Sequence, residues 1–328
     1  MRVFLTGSNG FIGNAIANAF AKENFELTLP VRDKTEVSLE PSKKISHKKI
    51  KTIGPNTNWT KMLDGIDVVI HCAARAHHTR ENKKNVEELY NNINVKGTVR
   101  LFRDSIKSGV KRFVFLSSVK AVSEMTYPND ALSELSDCKP VDAYGRSKLK
   151  AEIQLKEMSD NNKIELIIIR MPLVYGPNVK GNMRSLIWVA QQRIPLPLPK
   201  VRNQRSLLGL PNLVDFMLHV TKHENVPPGT YFLSDGSDQS TQDIITAIRT
   251  ASGIQNCQIF VKEALLQQAF RLFGFQTVYQ KIFGNLQIDI SKTLSQTDWS
   301  PKFSFEQQII ATLNCQDLLS SQKSEYKQ

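Results

Sequence analysis

Tyr144-Gly-Arg-Ser-Lys148 sets a phenol and an ammonium four residues apart, so that on a helix both side chains leave one face. A phenol with its ordinary pKa of about 10 is a poor base near neutrality. The charge of Lys148 and a positive nicotinamide ring both favour phenolate and would lower that value. Tyr144 could then take the proton of an alcohol while the carbon gives up hydride to the nicotinamide, with Lys148 also holding the nicotinamide ribose. Ser118, closing the run Phe113-Val-Phe-Leu-Ser-Ser118, is the natural hydrogen-bond partner of the reacting oxygen, and Ser117 beside it can contact the cofactor. Tyr-x-x-x-Lys pairs also occur on helices as solvated neighbours. A glycine cluster ending 131 residues before Tyr144 gives this pair its weight.

That cluster, Gly7-Ser-Asn-Gly-Phe-Ile-Gly13, follows a short apolar run and opens a helical pattern. In that context glycines let the backbone turn tightly and approach a pyrophosphate, whose charge is met by helix N-terminal amides. Gly7, Asn9, Gly10, Phe11, Ile12 and Gly13 form the expected cradle, spaced G-x-x-G-x-x-G rather than G-x-G-x-x-G. Nineteen residues past Gly13 stands Arg32, followed by Asp33. Arginine suits the 2′-phosphate of NADP(H), whereas an acidic residue suits the ribose hydroxyls of NAD. Arg32 comes first past the strand and tilts the expectation to NADP(H); Asp33 leaves NAD open. His71-Cys-Ala-Ala74 ends another apolar run, and Ala73 and Ala74 leave room for the adenine side and its ribose. His77, His78 and His219 lack carboxylate-rich surroundings, so no metal is expected.

These residues require an alternating βα ladder to position them. Strands are expected at Arg2–Thr6, Leu27–Val31, Asp67–His71, Arg112–Ser117 and Ile164–Arg170, and helices at Phe11–Ala21, Val86–Ser108 (one unbroken amphipathic helix) and Ala143–Met158. The fold class is therefore α/β: a Rossmann-type doubly wound parallel sheet with a smaller C-terminal substrate-binding α/β cap. Met171–Pro177 reads as irregular, Arg184–Gln192 as a helix and Ile194–Pro199 as an extended proline run. Asn212–His223 reads as a helix and Thr230–Ser234 as a strand; Thr241–Ser252 and Phe305–Leu313 are later helices. Residues 1–173, rejoined by 206–235, form the expected dinucleotide domain, and 174–205 with 236–328 the cap. Val261–Leu286 is apolar in helical clusters broken at Gly274; it suits packing on the cap or a lid better than a membrane-surface helix, since few cations line its polar side.

Composition narrows the class further. The chain has 328 residues, 41% apolar and 23% charged, enough for a large core plus a smaller unit. No apolar run reaches the roughly 18 residues that would cross a bilayer. Met1-Arg-Val-Phe-Leu-Thr runs straight into the glycine cluster, so no signal peptide is expected. Cys72, Cys138, Cys257 and Cys315 are scattered without metal-ligand spacing and read as thiols of a reducing cytoplasm. The net charge of +12 comes without aromatic interleaving or a nucleic-acid-binding signature. A solvated surface explains it, and a diphosphate substrate would suit the field.

Together these motifs resemble the extended short-chain dehydrogenases/reductases, in particular the NAD-dependent epimerase/dehydratase family. The similarity runs over nearly the whole chain. It is carried by Thr6–Gly13, His71–Ala74, Ser117-Ser118, Tyr144-x-x-x-Lys148 and Arg170-Met-Pro-Leu-Val-Tyr-Gly-Pro177. Ala74–His78, Ser117–Lys120, Arg205–Asp215, Asp289–Lys292 and Trp299–Pro301 are similar to a bacterial subgroup that resembles UDP-glucose 4-epimerases and serves surface-polysaccharide synthesis.

The resemblance implies Ser118, Tyr144 and Lys148 as catalytic residues and Pro172 as a further cofactor contact. It also implies Arg205 on the substrate diphosphate, Asn182 at the nucleotide end, and Ala76 and His77 beside the sugar. A nucleotide-diphosphate sugar is the implied partner, a homodimer through the long helices the implied assembly, and the cytoplasm the implied location. The implied activity is 4-epimerisation of a UDP-hexose or UDP-N-acetylhexosamine through a 4-keto intermediate. The alternative is NADPH-dependent reduction of a UDP-4-keto-6-deoxy-N-acetylhexosamine, and a non-catalytic dinucleotide-binding scaffold is the alternative of another class. Galactose epimerases usually carry asparagine at Leu173 and an acid at Arg32, which favours reduction. Val119-Lys120 replaces the acidic pair of a dehydratase, which disfavours dehydration.

Overall fold

The computed structural model describes residues 1–32, 39, 42–76, 85–199 and 203–314; Asp33, His77, His78 and Cys315 lie outside that set. The chain begins with β1 (Arg2–Thr6), α1 (Phe11–Lys22), β2 (Glu26–Val31), β3 (Ile45–Lys49) and β4 (Val68–His71). It continues through α2 (Val86–Tyr90), a π-helical stretch Asn91–Gly97, α3 (Thr98–Lys107), β5 (Arg112–Ser118), α4 (Ala143–Ser159) and β6 (Glu165–Met171). After the cap segments described below, β10 (Gly229–Phe232) returns to the edge of the same sheet. The seven strands lie in the order β10-β6-β5-β4-β1-β2-β3, every pair parallel.

Period-2 alternation sends side chains to two buried faces. Val3, Leu5, Val114 and Ile167 meet α1 and the helix α6 (Leu210–Lys222) through Ile16, Phe20, Leu213 and Phe216. Phe4, Phe113, Phe115 and Ile168 meet α3 and α4 through Leu101, Phe102, Ala151 and Leu155. The strand ends are held rigid from both sides.

The helix expected to run unbroken over Val86–Ser108 is interrupted. At Asn91–Gly97 the hydrogen-bonded turns widen, an arrangement usually confined to a single turn near functional sites. The cause is tertiary. Asn94 turns inward, accepting from Arg75 N at 2.8 Å and donating to Arg75 O at 3.1 Å and Ser147 Oγ at 3.0 Å.

The remaining elements are β7 (Leu173–Tyr175), α5 (Gly181–Ala190), β8 (Leu196–Pro199), β9 (Arg205–Gly209), β11 (Asp238–Gln239), α7 (Thr241–Ala251) and β12 (Gln258–Val261). They are followed by α8 (Glu263–Leu272), α9 (Gln276–Phe283), α10 (Ser291–Thr297), whose Thr293 Oγ1 donates to the Phe232 carbonyl of β10 at 2.6 Å, and a helix over residues 305–314. The segment read as irregular contains β7, which pairs in parallel with β9, Leu173 opposite Leu207. The proline run becomes β8, paired among the described residues with β12 alone, an edge position that tolerates residues without an N–H. Buried Arg249 fastens the cap by donating to the carbonyls of Ala190, Gln192, Ile194 and Cys257. No described helix is long and apolar enough to cross a membrane.

Candidate active site

β1 hands over to α1 through Gly7, at φ +77°, where a Cβ would lie 2.8 Å from the Ala73 nitrogen. A Cβ on Gly13 would overlap the Gly7 carbonyl oxygen, and Gly10 N donates to that oxygen at 2.9 Å. The helix therefore begins hard against the ends of β1 and β4. No side chain caps its N-terminus and no acid stands in its first turn, so the amides around Asn9, Phe11 and Ile12 are left for an anion. Ala73 and Ala74 are half-buried, and Arg32 is exposed just past β2.

Buried His71 ties this cradle together. Its Nδ1 lies 2.7 Å from Thr6 Oγ1 and its Nε2 2.9 Å from Thr98 Oγ1; Ala73 N donates to the same Thr6 oxygen at 3.3 Å. Burial, and then the charge of Lys148, push His71 down to about 3, so the imidazole is neutral near pH 7.

The reacting side chains come from β5 and α4. Asp142 caps α4, accepting from Gly145 N at 2.6 Å. A Cβ on Gly145 would overlap the Lys120 carbonyl oxygen, which brings α4 onto the turn after β5. Lys120 Nζ donates to Asp142 Oδ2 at 2.7 Å and Glu124 Oε1 at 2.8 Å, fastening the end of Ser118's strand to the start of Tyr144's helix. Ser118 Oγ accepts from Lys120 N at 3.2 Å, which leaves its O–H for another acceptor. Behind Tyr144, Ser147 Oγ donates to the Tyr144 carbonyl at 2.7 Å and accepts from Asn94.

Tyr144 lies edge-on to Tyr90 with ring centroids 6.2 Å apart, and its hydroxyl makes no hydrogen bond among the described residues. Burial pushes its phenol above the ordinary range, with Asp142 and Tyr90 adding to the rise. The lowered phenol expected from the sequence is thus not produced by this chain alone. Lys148 Nζ lies 5.9 Å from the Tyr144 ring centroid, donates to the Leu116 carbonyl at 2.7 Å, and is itself pushed down to about 8 by burial. Both groups sit where water is scarce, so each favours its neutral form.

Ser117 also differs from expectation. Its hydroxyl donates to buried Glu152, whose carboxylate takes Arg170 Nη2 at 2.7 Å, so the side chain faces the sheet–helix interface. Sequence reasoning missed Glu152, Arg170, Asn94 and Lys120. Glu152 could have been found, because it extends the Tyr144–Lys148 face by one more four-residue step.

Arg205 opens β9 and donates to the Gly284 carbonyl at 2.7 Å; no described carboxylate pairs with it, and burial pulls its guanidinium down. Asn182 is exposed at the second position of α5, Pro172 is buried between β6 and β7, and Ala76 is half-buried. Structure thus gathers the cradle, Ser118, Tyr144 and Lys148 at neighbouring carboxyl ends of β1, β4 and β5, where doubly wound sheets bind ligands. Arg205 and Asn182 belong to the cap, and no described hydrogen bond ties them to that cluster. The uncapped amides and small strand-end residues fit a dinucleotide diphosphate. Among the described residues no cluster suits a metal ion.

A model of the NAD dependent epimerase/dehydratase family matches residues 3–233. A UDP-glucose 4-epimerase of Vibrio cholerae is 34% identical over 301 residues, covering 91% of this chain and 90% of that one. Among solved structures, UDP-glucuronic acid 4-epimerase from Bacillus cereus in complex with NAD superposes with a TM-score of 0.78 at 21% identity, covering 97% of this chain and 99% of that one. A UDP-N-acetylglucosamine 4-epimerase from Methanobrevibacter ruminantium M1, in complex with UDP-N-acetylmuramic acid, gives 0.78 at 18% identity, covering 97% and 98%. At those identities the structures establish the shared fold.

Proposed function

Since the chain belongs to the NAD-dependent epimerase/dehydratase family, we propose that it is a nucleotide-sugar 4-epimerase acting on a UDP-hexose or UDP-N-acetylhexosamine. The observation that carries this reading is the convergence of an uncapped α1 cradle with Ser118, Tyr144 and Lys148 at adjoining strand ends. Residues 1–173 with 206–235 act as the dinucleotide half, and 174–205 with 236–328 as the substrate half.

The cradle from Gly7 to Gly13, with Ala73, Ala74 and Pro172, would hold the dinucleotide, which supplies a reversible hydride acceptor. Lys148 leaves the Leu116 carbonyl for the cofactor ribose and lowers the Tyr144 phenol through its charge. Tyr144 takes the proton of the C4 hydroxyl while Ser118 holds that oxygen. The 4-keto sugar then turns over in the cap. Arg205 keeps the diphosphate in place during the turn, a role suited to a planar guanidinium, and Asn182, Ala76 and His77 border the nucleotide and sugar. Tyr144 would return its proton to the C4 oxygen as hydride goes back to the opposite face of C4.

Exposed Leu89 and Ile153 on α2 and α4 support a homodimer through those helices. Free thiols at Cys72, Cys138 and Cys257 support a cytoplasmic location. Arg32 favours the second reading, NADPH-dependent reduction of a UDP-4-keto-6-deoxy-N-acetylhexosamine.

The test begins by denaturing the purified protein and identifying any dinucleotide released. Fresh protein is then given UDP-N-acetylglucosamine, or a 4-keto-6-deoxy UDP-sugar with NADPH. Retained NAD and a new C4 epimer without net NADPH consumption are expected. An empty site, with NADPH consumed only beside the keto sugar, would replace epimerase by reductase. Tyr144→Phe should keep its dinucleotide and lose about 10²–10⁴-fold in turnover; unchanged ligand behaviour with no turnover in either protein would leave a binding scaffold.

A further inference from the structure

α8 and α9 form a helical hairpin whose two faces differ. Phe270, Tyr279 and Phe283 make an inner aromatic seam, Tyr279 lying 5.5 Å from Phe270 and 5.0 Å from Phe283 between ring centroids. The base is anchored to the cap: Thr241 Oγ1 donates to the Ile282 carbonyl at 2.5 Å, and Arg205 to the Gly284 carbonyl at 2.7 Å. At the other end the hairpin turns through Gly274, at φ +73°. There Leu272 is 78% exposed, Phe273 76% and Phe275 56%, and no residue of α8 is buried. Three large exposed apolar side chains within four residues at a hairpin tip form one apolar patch.

Charge selects the occupant. Arg271 stands beside the tip and is exposed, as are Lys281, in the last turn of α9, and Lys262, at the start of α8. Residues 254–285 carry three cations and one carboxylate. That one carboxylate, Glu263, is already engaged by Gln267 and Tyr279. A second copy seated on this face would bring like charges together. An anionic lipid surface takes both features, since aromatic and leucine side chains enter the headgroup boundary while each nearby cation adds about fivefold to partitioning.

We infer that the α8–α9 tip inserts Leu272, Phe273 and Phe275 into the surface of an anionic bilayer, with Arg271 and Lys281 against its headgroups. The chain is thereby a peripheral protein that docks through its cap without spanning. This goes beyond the proposed reaction and stands independently of it.

Sedimentation of the full chain with vesicles of phosphatidylglycerol and phosphatidylcholine, against phosphatidylcholine alone, tests the inference. Wild type should bind the anionic vesicles at least tenfold better than the neutral ones and lose that preference in high salt. Phe273→Ser/Phe275→Ser should weaken anionic binding at least tenfold, with an unchanged circular dichroism spectrum and unchanged melting. Should that variant not fold, Arg271→Glu/Lys281→Glu leaves the aromatic seam untouched and should lose binding as well. Absence of wild-type binding, or equal binding by folded variants, overturns the inference. A smaller mass for Phe273→Ser/Phe275→Ser than for wild type in lipid-free buffer also overturns it, because the face would then be a contact between copies.

Discussion

Lys148 is asked to carry charge where charge is discouraged. Its ammonium is held near 8 by burial, against 10.5 for the free group. Between those values the unfolded chain keeps a proton that the folded chain releases, so stability rises with pH across that window. Below about 8 the cost of the buried ammonium stands in full. Lys148→Met should therefore stabilise the cofactor-free protein at pH 7 by roughly 2 kcal/mol, a gain that fades as pH approaches 10.5. The same variant should have no turnover. Melting temperature against pH, beside an epimerisation assay, checks both halves; a variant less stable than wild type at pH 7 would mean that the bond to Leu116 outweighs desolvation.

Among elements, β1, β4 and α3 are joined at one point, the neutral ring of His71 between Thr6 and Thr98. The unfolded chain takes up a proton on this imidazole below about 6.5, and the folded one refuses it until about 3. This contribution is complete above the free value and is lost as pH falls toward the folded one. His71→Asn should cost about 1–3 kcal/mol at pH 7 and flatten the fall in melting temperature between about pH 6.5 and 4. An unchanged slope would place the acid sensitivity elsewhere. Six strands of the main sheet were legible from sequence because each is a short apolar run between turn residues; the edge strand β3, Ile45-Ser-His-Lys-Lys49, was not, because it is polar and takes its conformation from pairing with β2. The widening at Asn91–Gly97 was not, because Tyr90, Ile93, Val95 and Val99 keep apolar residues flowing through it and the cause lies in bonds to Arg75 and Ser147. β7 escaped notice between Pro172 and Pro177, since its partner β9 comes much later in the chain. Residue types and spacing marked Ser118, Tyr144 and Lys148, but which way Ser117 points and how burial moves the phenol depend on packing that no local pattern encodes.

For the molecule as a whole, the net charge of +12 sets up a field that draws in a diphosphate. Under the proposed function, kcat/KM should fall several-fold over about a tenfold rise in ionic strength while kcat stays level. Steady-state kinetics in neutral salt decide this, and a parallel fall in kcat would point to the chemistry instead. The strand order also carries a consequence in time. Ile167–Arg170 of β6 is covered by Gly229–Phe232, which the ribosome delivers only after the first excursion into the cap. Synthesis of about 60 residues separates the two, roughly 3–12 seconds at ordinary elongation speed. During that interval the nascent sheet ends in an open Ile-Ile-Ile edge, the kind of strand that pairs with whatever extended chain is nearest. On a crowded polysome the nearest such chain is another copy at the same stage, so the hazard in making this protein lies in translation, before the cap is complete.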